Sequence, residues 1–290
     1  MSVIKKIFAW GSVEEPGDPF TQENRDPLLL WRFNEAVPGV KVCFTSRPGG
    51  FSIPPYESLN LGYHVGDVQE KVQENRALLC SVLRLDPARL TSPQQRHTAK
   101  VQLLDDEERI GSGALSEESA FDPCDGLVTS LGNAPILLHF ADCAPVVLTG
   151  IGTDLRGEEK PVVAVLHAGR KGLAAGVVAA GVDLMSETYN IKPESMTAAV
   201  GAAIGACCYQ VSEEIATEME ELFGPDVLAR NDEGVWLDMQ SGVEAALLAA
   251  GLQRENVYVL ELCTSCDDHF YSYRRDGVTG RHGAIAWVES

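Results

Sequence analysis

The chain has 290 residues and a formal net charge of −19, with 23 basic and 42 acidic side chains. Such an acidic protein is not expected to present the basic surface that grips a nucleic-acid backbone, which excludes nucleic acid as a main partner. Hydrophobic residues make up 45% of the sequence, as in ordinary globular proteins and unlike disordered chains. The length fits one or two domains, and we expect a single continuous one.

Neither a membrane span nor a secretory signal is predicted. The longest apolar stretch, residues 133–151, is interrupted by His139 and Asp142, so it is unsuited to crossing a bilayer. The first residues carry only a short apolar run, which predicts a cytoplasmic protein. The eight cysteines form no dense disulfide pattern and are expected to be thiols. Any special cysteine is then a metal ligand or a nucleophile.

The N-terminal segment, residues 1–38, is rich in Pro, Glu and Asp and contains the aromatic residues Trp10, Phe20 and Trp31. This composition predicts an extension packed on the body of the protein. Residues 39–290 are predicted to form the catalytic domain.

The first regular elements are a strand over residues 40–45 and a helix over 67–85. The sequence SRPGG follows the strand, and its proline and glycines predict a turn that presents Arg47. Apolar residues at helical spacing indicate the helix, and Pro87 lies just beyond its end.

Short apolar runs then alternate with turns through the middle of the chain. Strands are predicted over residues 126–129, 135–140, 144–149 and 161–166, the last two forming a hairpin. After the turn HAGRKG, apolar residues at helical spacing predict a helix over residues 173–189.

Towards the C-terminus, helices and strands continue to alternate. Strands are predicted over residues 196–200, 256–262 and 283–288, and helices from Ser212 to Gly224 and over residues 238–250. Because hairpins are mixed with crossover helices, the predicted fold is α+β, with a mixed β-sheet flanked by helices.

Three residues, His97, Cys143 and His167, stand out as candidate metal ligands. Imidazole nitrogen and thiolate sulfur are ligands that zinc prefers, and three protein ligands with one open position describe a catalytic zinc site. Cys143 and His167 each lie at the end of an apolar strand, where a rigid scaffold can hold them at the rim of the sheet. The alternative is a buried thiol with two hydrogen-bonded core histidines.

The sequence CTSCDDHFYSYRRDGVTGR near the C-terminus forms a second cluster of interest. Cys263 and Cys266 have the spacing of a zinc knuckle, but no second pair with this spacing occurs, so two isolated thiols are predicted. Arg274, Arg275 and Arg281 either pair with neighbouring aspartates or bind a substrate oxyanion. The chain contains no dinucleotide-binding, Walker, GxSxG or HExxH motif.

Taken together, the segments resemble the laccase-domain family, also called the polyphenol oxidase or YfiH-type family. The motifs that carry the resemblance are, in order, TSRPGGFSIPPYESLNLGYHVGD (45–67), Asn75–Arg76, QQRH (94–97), DGLVT (125–129), ADCAPVVL (141–148), HAGRKG (167–172), IGACCYQV (204–211) and YSYRRDGVTGR (271–281).

The resemblance implies a single α+β domain of the YfiH-type fold, with one metal site. Its ligands and catalytic residues would be His97, Cys143 and His167, and its metal zinc, with copper less expected. The family is described as acting on purine nucleosides and phosphate. The implied reactions are phosphorolysis of inosine, guanosine, adenosine and methylthioadenosine, and deamination of adenosine. Arg47 and His64 are predicted to position substrate oxyanions.

The sequence also departs from the family pattern. Arg96 and Thr98 flank His97 where the family usually has QVHG, and Ala202 replaces a proline. Arg170 and Lys171 stand where the family has Trp-Arg, which changes a residue expected to shape the pocket.

Other functions of the family remain as alternatives. These are copper polyphenol oxidation, peptidoglycan editing, cysteine hydrolysis with Cys143 as nucleophile, and nucleoside binding without catalysis. Only six histidines are present, too few to house a blue copper site and a trinuclear copper cluster.

Overall fold

The computed structural model describes residues 18–153 and 157–290. The strands are β1 (Phe20–Arg25), β2 (Leu28–Phe33), β3 (Val40–Thr45), β4 (Val101–Leu103), β5 (Gly126–Thr129), β6 (Ile136–Phe140), β7 (Ala144–Thr153), β8 (Glu159–Ala168), β9 (Thr197–Val200), β10 (Gln210–Val211), β11 (Leu228–Asn231), β12 (Gly234–Leu237), β13 (Val257–Val259) and β14 (His282–Val288). The helices are α1 (Gln69–Leu83), α2 (Arg170–Ala174), α3 (Val177–Tyr189), α4 (Glu213–Phe223), α5 (Met239–Ala249) and α6 (Tyr273–Asp276).

The fold is α+β and forms one domain, as predicted, but its strands are divided among three sheets. A five-stranded sheet has the order β1-β2-β3-β14-β6, and a six-stranded sheet has the order β13-β9-β7-β8-β5-β4. A small sheet has the order β10-β12-β11. In the six-stranded sheet β4 pairs with β5 and β9 with β13 in parallel, whereas the remaining pairs are antiparallel. The six-stranded sheet is therefore the predicted mixed sheet.

The two larger sheets pack face to face. Leu127, Val147 and Val165 of the six-stranded sheet share one apolar cluster with Phe44 and Leu138 of the five-stranded sheet. Because side chains alternate along a strand, their neighbours point to the opposite faces. On those faces, α2, α3 and α5 cover the six-stranded sheet and α1 covers the five-stranded sheet. The resulting order of layers is helix, sheet, sheet, helices.

The predicted helix over residues 173–189 is divided in two. Gly176 adopts a φ of +93°, a left-handed conformation that glycine tolerates and that ends α2 before α3 begins. The other predicted helices are confirmed, and Ser212 caps α4 by accepting a hydrogen bond from the Ile215 amide. The predicted hairpin is confirmed as β7 and β8, paired antiparallel.

Part of the predicted N-terminal extension is built into the body of the protein. Strands β1 and β2 form an antiparallel hairpin, and β2 pairs with β3 across the predicted boundary at residue 38. Phe20 and Trp31 are buried in the cluster between the two sheets, whereas Trp10 lies outside the described residues. In the part of the chain that the structure describes, no helix has the length and apolarity needed to cross a bilayer.

Candidate metal centre and active-site cavity

The candidate site lies at one edge of the six-stranded sheet. Strands β5 and β7 begin at this edge and β8 ends there, because β8 is antiparallel to both. Asp125 immediately precedes β5, Cys143 immediately precedes β7, and His167 is the penultimate residue of β8. His97 lies in the loop before β4, which runs parallel to β5 and begins at the same edge. Strand pairing thus brings together residues far apart in sequence.

The structure brings the three predicted metal ligands into contact. The donor atoms of His97, Cys143 and His167 all lie within 4.8 Å of one another. His97 Nε2 is 3.7 Å from Cys143 Sγ, and the two imidazole rings meet edge to face at 4.7 Å between centroids. We call these residues the His–Cys–His centre. Two imidazoles and one thiol at such separations fit a zinc ion with a fourth position left for water or substrate.

Asp125 organises the His–Cys–His centre from behind. Its Oδ1 atom is 2.8 Å from His167 Nδ1, which leaves His167 Nε2 to face the other ligands. The same carboxylate accepts hydrogen bonds from the backbone amides of Arg96, His97 and Thr98, and from the Thr98 hydroxyl. A carboxylate that orients a metal-binding histidine is typical of zinc sites. Here it also fixes the loop that carries the second histidine.

The charges at the centre favour an ionised thiol. Burial raises the pKa of the Cys143 thiol, but the charge of His167 and hydrogen bonds from His167 and His97 outweigh it and lower that pKa to about 6. Burial lowers the pKa of His167, but Cys143 and Asp125 raise it to about 9. Burial also raises the pKa of Asp125, yet its hydrogen bonds from His167 and Thr98 hold that pKa well below the usual range. A thiolate is the form of cysteine that binds metals and acts as a nucleophile.

The backbone around the centre is closely fitted. His97 has a φ of +59°, an unfavourable conformation for a residue with a side chain and one that often marks functional sites. Gly169 passes so near that an added Cβ would stand 2.8 Å from His97 Cδ2 and 2.9 Å from Cys143 Sγ. Gly169, the first glycine of the HAGRKG turn, is therefore required because the candidate ligands leave no space for a side chain.

The centre opens into a cavity of about 340 Å³. His97 and Cys143 form part of its wall, whereas His167 is buried behind them. The remaining lining residues are Ala141, Asp142, Arg170, Ile204, Tyr209, Met239, Tyr273, Arg274 and Arg281. A concave site with aromatic and apolar walls and a few convergent polar groups is typical of small-molecule binding.

Three arginines add positive charge to this cavity. Arg170 pairs with Glu218 at 3.0 Å, whereas Arg274 and Arg281 have no carboxylate within ion-pair distance among residues 18–153 and 157–290. Arg274 lies over the Tyr209 ring, 4.8 Å from its centroid, and donates to the Gln210 carbonyl. Burial lowers the pKa of Arg281, although the nearby Cys143 and Asp142 raise it, and its guanidinium donates to the carbonyls of residues 279 and 280. Arginines without acidic partners in a cavity are suited to binding an anion.

Arg47 and His64, the predicted oxyanion-binding residues, do not line this cavity. The Arg47 side chain donates to the Glu57 carbonyl at 2.8 Å and lies over the ring of Tyr271. His64 lies 6.0 Å from the ring of His139, and burial together with the charge of Arg281 lowers its pKa to about 4. A neutral His64 brings no positive charge to an oxyanion, whereas Arg274 and Arg281 do.

The prediction that Cys263 and Cys266 are isolated thiols is wrong. Their sulfurs lie within 4.8 Å of those of Cys207 and Cys208, at the same edge of the six-stranded sheet. A zinc knuckle usually joins two cysteine pairs of the same spacing, whereas the partners here are the adjacent residues Cys207 and Cys208. We call these four residues the tetracysteine cluster.

Some functional residues were not identified from the sequence. Asp125 belongs to the DGLVT motif, but its contact with His167 depends on the antiparallel pairing of β5 with β8. Tyr209 and Tyr273 reach the cavity from a loop and a short helix, and although both lie in motifs of the family resemblance, neither was predicted to be a site residue. The doublet Cys207–Cys208 and the spacing of Cys263 and Cys266 were the available signals for the tetracysteine cluster.

The site defines a class of protein: an α+β protein with a mixed histidine and cysteine cluster that could hold a metal ion, beside a cavity lined by three arginines. Residues 41–289 match the model of the family described as multi-copper polyphenol oxidoreductase laccase. The match covers most of the chain, which therefore belongs to this family.

Curated relatives carry a different name. A purine nucleoside phosphorylase of Corynebacterium glutamicum is 34% identical over 86% of this chain and 94% of its own length. The purine nucleoside phosphorylase YlmD of Geobacillus stearothermophilus is 35% identical over 91% of this chain and 95% of its own length.

Solved structures agree with the fold. YlmD from Geobacillus stearothermophilus and the hypothetical protein YfiH from Bacillus licheniformis each superpose with a TM-score of 0.84 at 32% identity. Both comparisons cover 94% of this chain and 100% of the other. The predicted family and YfiH-type fold are thus confirmed.

Proposed function

We propose that the protein is a zinc-dependent purine nucleoside phosphorylase acting on inosine, guanosine, adenosine and methylthioadenosine, and that the same site deaminates adenosine. The observation that carries the proposal is the His–Cys–His centre at the wall of a cavity that also holds Arg274 and Arg281, two arginines with no ion-pair partner among the described residues. Relatives named purine nucleoside phosphorylases, matched over nearly their whole length, support the same reaction. All eight cysteines are free thiols in the structure, which is consistent with a reducing, cytoplasmic setting.

His97, Cys143 and His167 would hold the zinc ion. Three protein ligands would leave one coordination position for water or substrate, and His97 and Cys143 form part of the wall of the cavity that would supply it. When bound, zinc supplies Lewis-acid activation of a substrate oxygen or a water molecule. Asp125 keeps His167 in the orientation that exposes Nε2 to the metal.

Phosphorolysis also requires that phosphate be held beside the anomeric carbon of the ribose while the purine leaves. Arg274 and Arg281 are suited to this task, because guanidinium groups bind phosphate in a fixed planar geometry. Tyr209, Ile204 and Met239 offer aromatic and apolar surface on which a purine ring can pack. The cavity wall therefore offers both cationic groups for the anion and aromatic and apolar surface for the base.

Two other activities use the same residues. Cys143 with His167 and Asp125 has the order of a nucleophile, base and orienting carboxylate, and the low pKa of its thiol favours a cysteine hydrolase. The family description favours copper oxidation, and two histidines with a cysteine also suit a copper ion. However, the described residues bring histidines into just one of the two candidate metal clusters, which does not provide for a trinuclear copper centre.

Phosphate-dependent release of hypoxanthine from inosine tests the proposal. Zinc-loaded protein should form hypoxanthine and ribose 1-phosphate only when phosphate is present, and adenosine should give adenine and inosine in parallel assays. Cys143→Ala should abolish all of these reactions, whereas Cys80→Ala, a change at a buried thiol of α1, should retain them.

Other outcomes would replace the proposal. Phosphate-independent hydrolysis that persists after zinc removal would favour the cysteine hydrolase. Oxygen consumption with a phenol by copper-loaded protein would favour the oxidase. Bound zinc and bound inosine with no turnover would indicate a binding protein without catalysis.

A further inference from the structure

The tetracysteine cluster is formed by two loops that leave neighbouring parallel strands. Cys207 and Cys208 follow β9, and Cys263 and Cys266 follow β13. Parallel strands end at the same edge of a sheet, so the two loops emerge side by side. A backbone bridge between Ala203 and Cys263 continues the pairing beyond the strands.

Each loop is folded into a tight turn that presents its cysteines. The Gly205 carbonyl accepts hydrogen bonds from the amides of Cys208 and Tyr209, at 3.0 and 3.1 Å. In the second loop, the Cys263 carbonyl accepts from the amides of Cys266 and Asp267, at 3.1 and 3.0 Å. The two turns have the same hydrogen-bonding pattern. The positions of the four sulfurs are therefore determined by backbone hydrogen bonds as well as by side-chain rotamers.

A basic side chain braces the second loop. The Arg275 guanidinium donates to the carbonyls of Thr264 and Phe270, at 3.1 and 2.8 Å. It thereby spans the loop that contains Cys263 and Cys266, while its charge is paired with Asp276 at 2.9 Å and with Asp268 at 3.6 Å. Arg275 therefore supports the shape of the loop.

The four sulfurs converge on one point. All lie within 4.8 Å of one another, and Cys266 Sγ is 3.2 Å from Cys207 Sγ and 3.3 Å from Cys208 Sγ. Four sulfurs bound to zinc at about 2.3 Å would be about 3.8 Å apart, so a small outward movement would create a tetrahedral site. The Gly205 amide also donates to Cys263 Sγ at 3.4 Å, a contact that stabilises charge on sulfur.

From this geometry we infer that the tetracysteine cluster is a second metal site, a structural zinc site with four thiolate ligands and no open position. A tetrahedral site of four sulfurs is typical of zinc. Zinc is the divalent cation without redox chemistry that prefers thiolate ligands. A disulfide would join sulfurs in pairs, whereas Cys266 is nearly equidistant from two others. Cys207 and Cys266 are exposed, so the metal can enter from solvent.

This zinc site would brace the wall of the active-site cavity. Ile204 and Tyr209 flank Cys207 and Cys208, and both line the cavity. Asp142, adjacent to the metal ligand Cys143, accepts hydrogen bonds from the Ile204 amide through its carbonyl and from the Thr264 hydroxyl through its carboxylate, at 3.0 and 2.7 Å. Both cysteine-bearing loops are thus tied to the residue beside the His–Cys–His centre. The cluster acts by positioning these residues and does not contact the reacting atoms.

Zinc stoichiometry of the full chain tests the inference. Protein produced with zinc and purified under reducing conditions without chelators should contain two zinc ions per chain, measured by mass spectrometry of the metal. Cys143→Ser should contain one, and the double variant Cys207→Ser with Cys266→Ser should also contain one. Cys80→Ser, a change at a buried thiol outside both clusters, should retain two.

X-ray absorption at the zinc edge identifies the ligands independently of whether the double variant folds. The single zinc ion of Cys143→Ser should show four sulfur neighbours at about 2.3 Å and no nitrogen or oxygen. In wild-type protein, a thiol reagent should react with more cysteines after a chelator has removed the zinc than before, because bound zinc protects its ligands. Removal of the metal should lower the midpoint temperature of thermal unfolding, because metal binding contributes to the free energy of folding.

Several results would overturn the inference. Cys143→Ser without bound zinc would show that the four thiols hold no metal. Iron in place of zinc, or disulfides among the four cysteines in protein purified under reducing conditions, would assign the cluster a redox role. A zinc ion with mixed nitrogen and sulfur neighbours in Cys143→Ser would also contradict a site of four thiolates.

Discussion

The His–Cys–His centre and the tetracysteine cluster occupy the same edge of one sheet, yet they are constructed differently. The first combines three ligands from three separate segments, faces a cavity and relies on a buried carboxylate for orientation. The second combines four thiols from two similar turns. Open, mixed-ligand sites are typical of catalytic zinc, and closed sites of four cysteines are typical of structural zinc. The number and type of ligands therefore predict a catalytic role for the first site and a structural role for the second.

The largest effect is expected from removing a ligand of the His–Cys–His centre. Cys143→Ala should lose one zinc ion per chain and lower kcat/KM by about 1000-fold or more, since Lewis-acid catalysis contributes several kcal/mol. Metal analysis and inosine phosphorolysis measure the two effects. Cys80→Ala serves as the matched control, and near-normal activity of zinc-free Cys143→Ala would contradict a catalytic metal.

The carboxylate behind the centre should come next. Asp125→Asn should weaken zinc binding by about 10- to 100-fold, because it removes the charge that orients His167 and loosens the loop carrying His97. Competition with a chromophoric chelator measures the affinity. Asp122→Asn changes an exposed aspartate that pairs with Arg109 and should leave the affinity unchanged. Equal affinities of the two variants would show that Asp125 has no role in metal binding.

Crowding the centre should have a smaller effect. Gly169→Ala places a methyl group less than 3 Å from His97 and Cys143, so we expect about 10-fold weaker zinc binding through displacement of these ligands. In the matched control Gly132→Ala, the added Cβ has no heavy atom nearer than 3.4 Å. Calorimetric titration with zinc compares the two. Wild-type affinity in Gly169→Ala would indicate that the ligands have more space than the structure gives them.

The smallest effects concern the anion. Arg274→Gln should raise the KM for phosphate by about 5-fold, since it removes a charged hydrogen-bond donor from the cavity wall. Arg47→Ala should change this KM by less, because the Arg47 guanidinium contacts Glu57 and does not line the cavity. Steady-state kinetics with varied phosphate concentration measure the KM for phosphate of the two variants. A larger effect of Arg47→Ala would support the sequence-based assignment of this residue to the substrate.

Sequence patterns predicted the fold well where a single element has its own periodicity. The helix α1, the hairpin of β7 and β8, and the cap of α4 by Ser212 follow from apolar spacing and local turn chemistry. The division of the strands into two facing sheets did not follow, because it depends on pairing between distant segments such as β3 and β14. The break at Gly176 was also missed, since apolar spacing continues through it.

The candidate metal ligands could be selected by residue type and by resemblance, whereas their surroundings could not. His97, Cys143 and His167 are chemically distinctive and flank recognisable strands or turns. Asp125 is one of many acidic residues in the chain, and only the register of β5 against β8 selects it. The tetracysteine cluster escaped notice because its two halves have different spacings and meet only through the parallel pairing of β9 and β13.

The most direct test of two metal centres with different roles is a crystal structure with diffraction data collected above and below the zinc absorption edge. We predict two anomalous peaks per chain. One should lie among His97, Cys143 and His167 with a non-protein ligand facing the cavity, and the other should be enclosed by the four sulfurs of the tetracysteine cluster. A zinc-replete crystal without a peak at the His–Cys–His centre, or with no open coordination position there, would contradict the account.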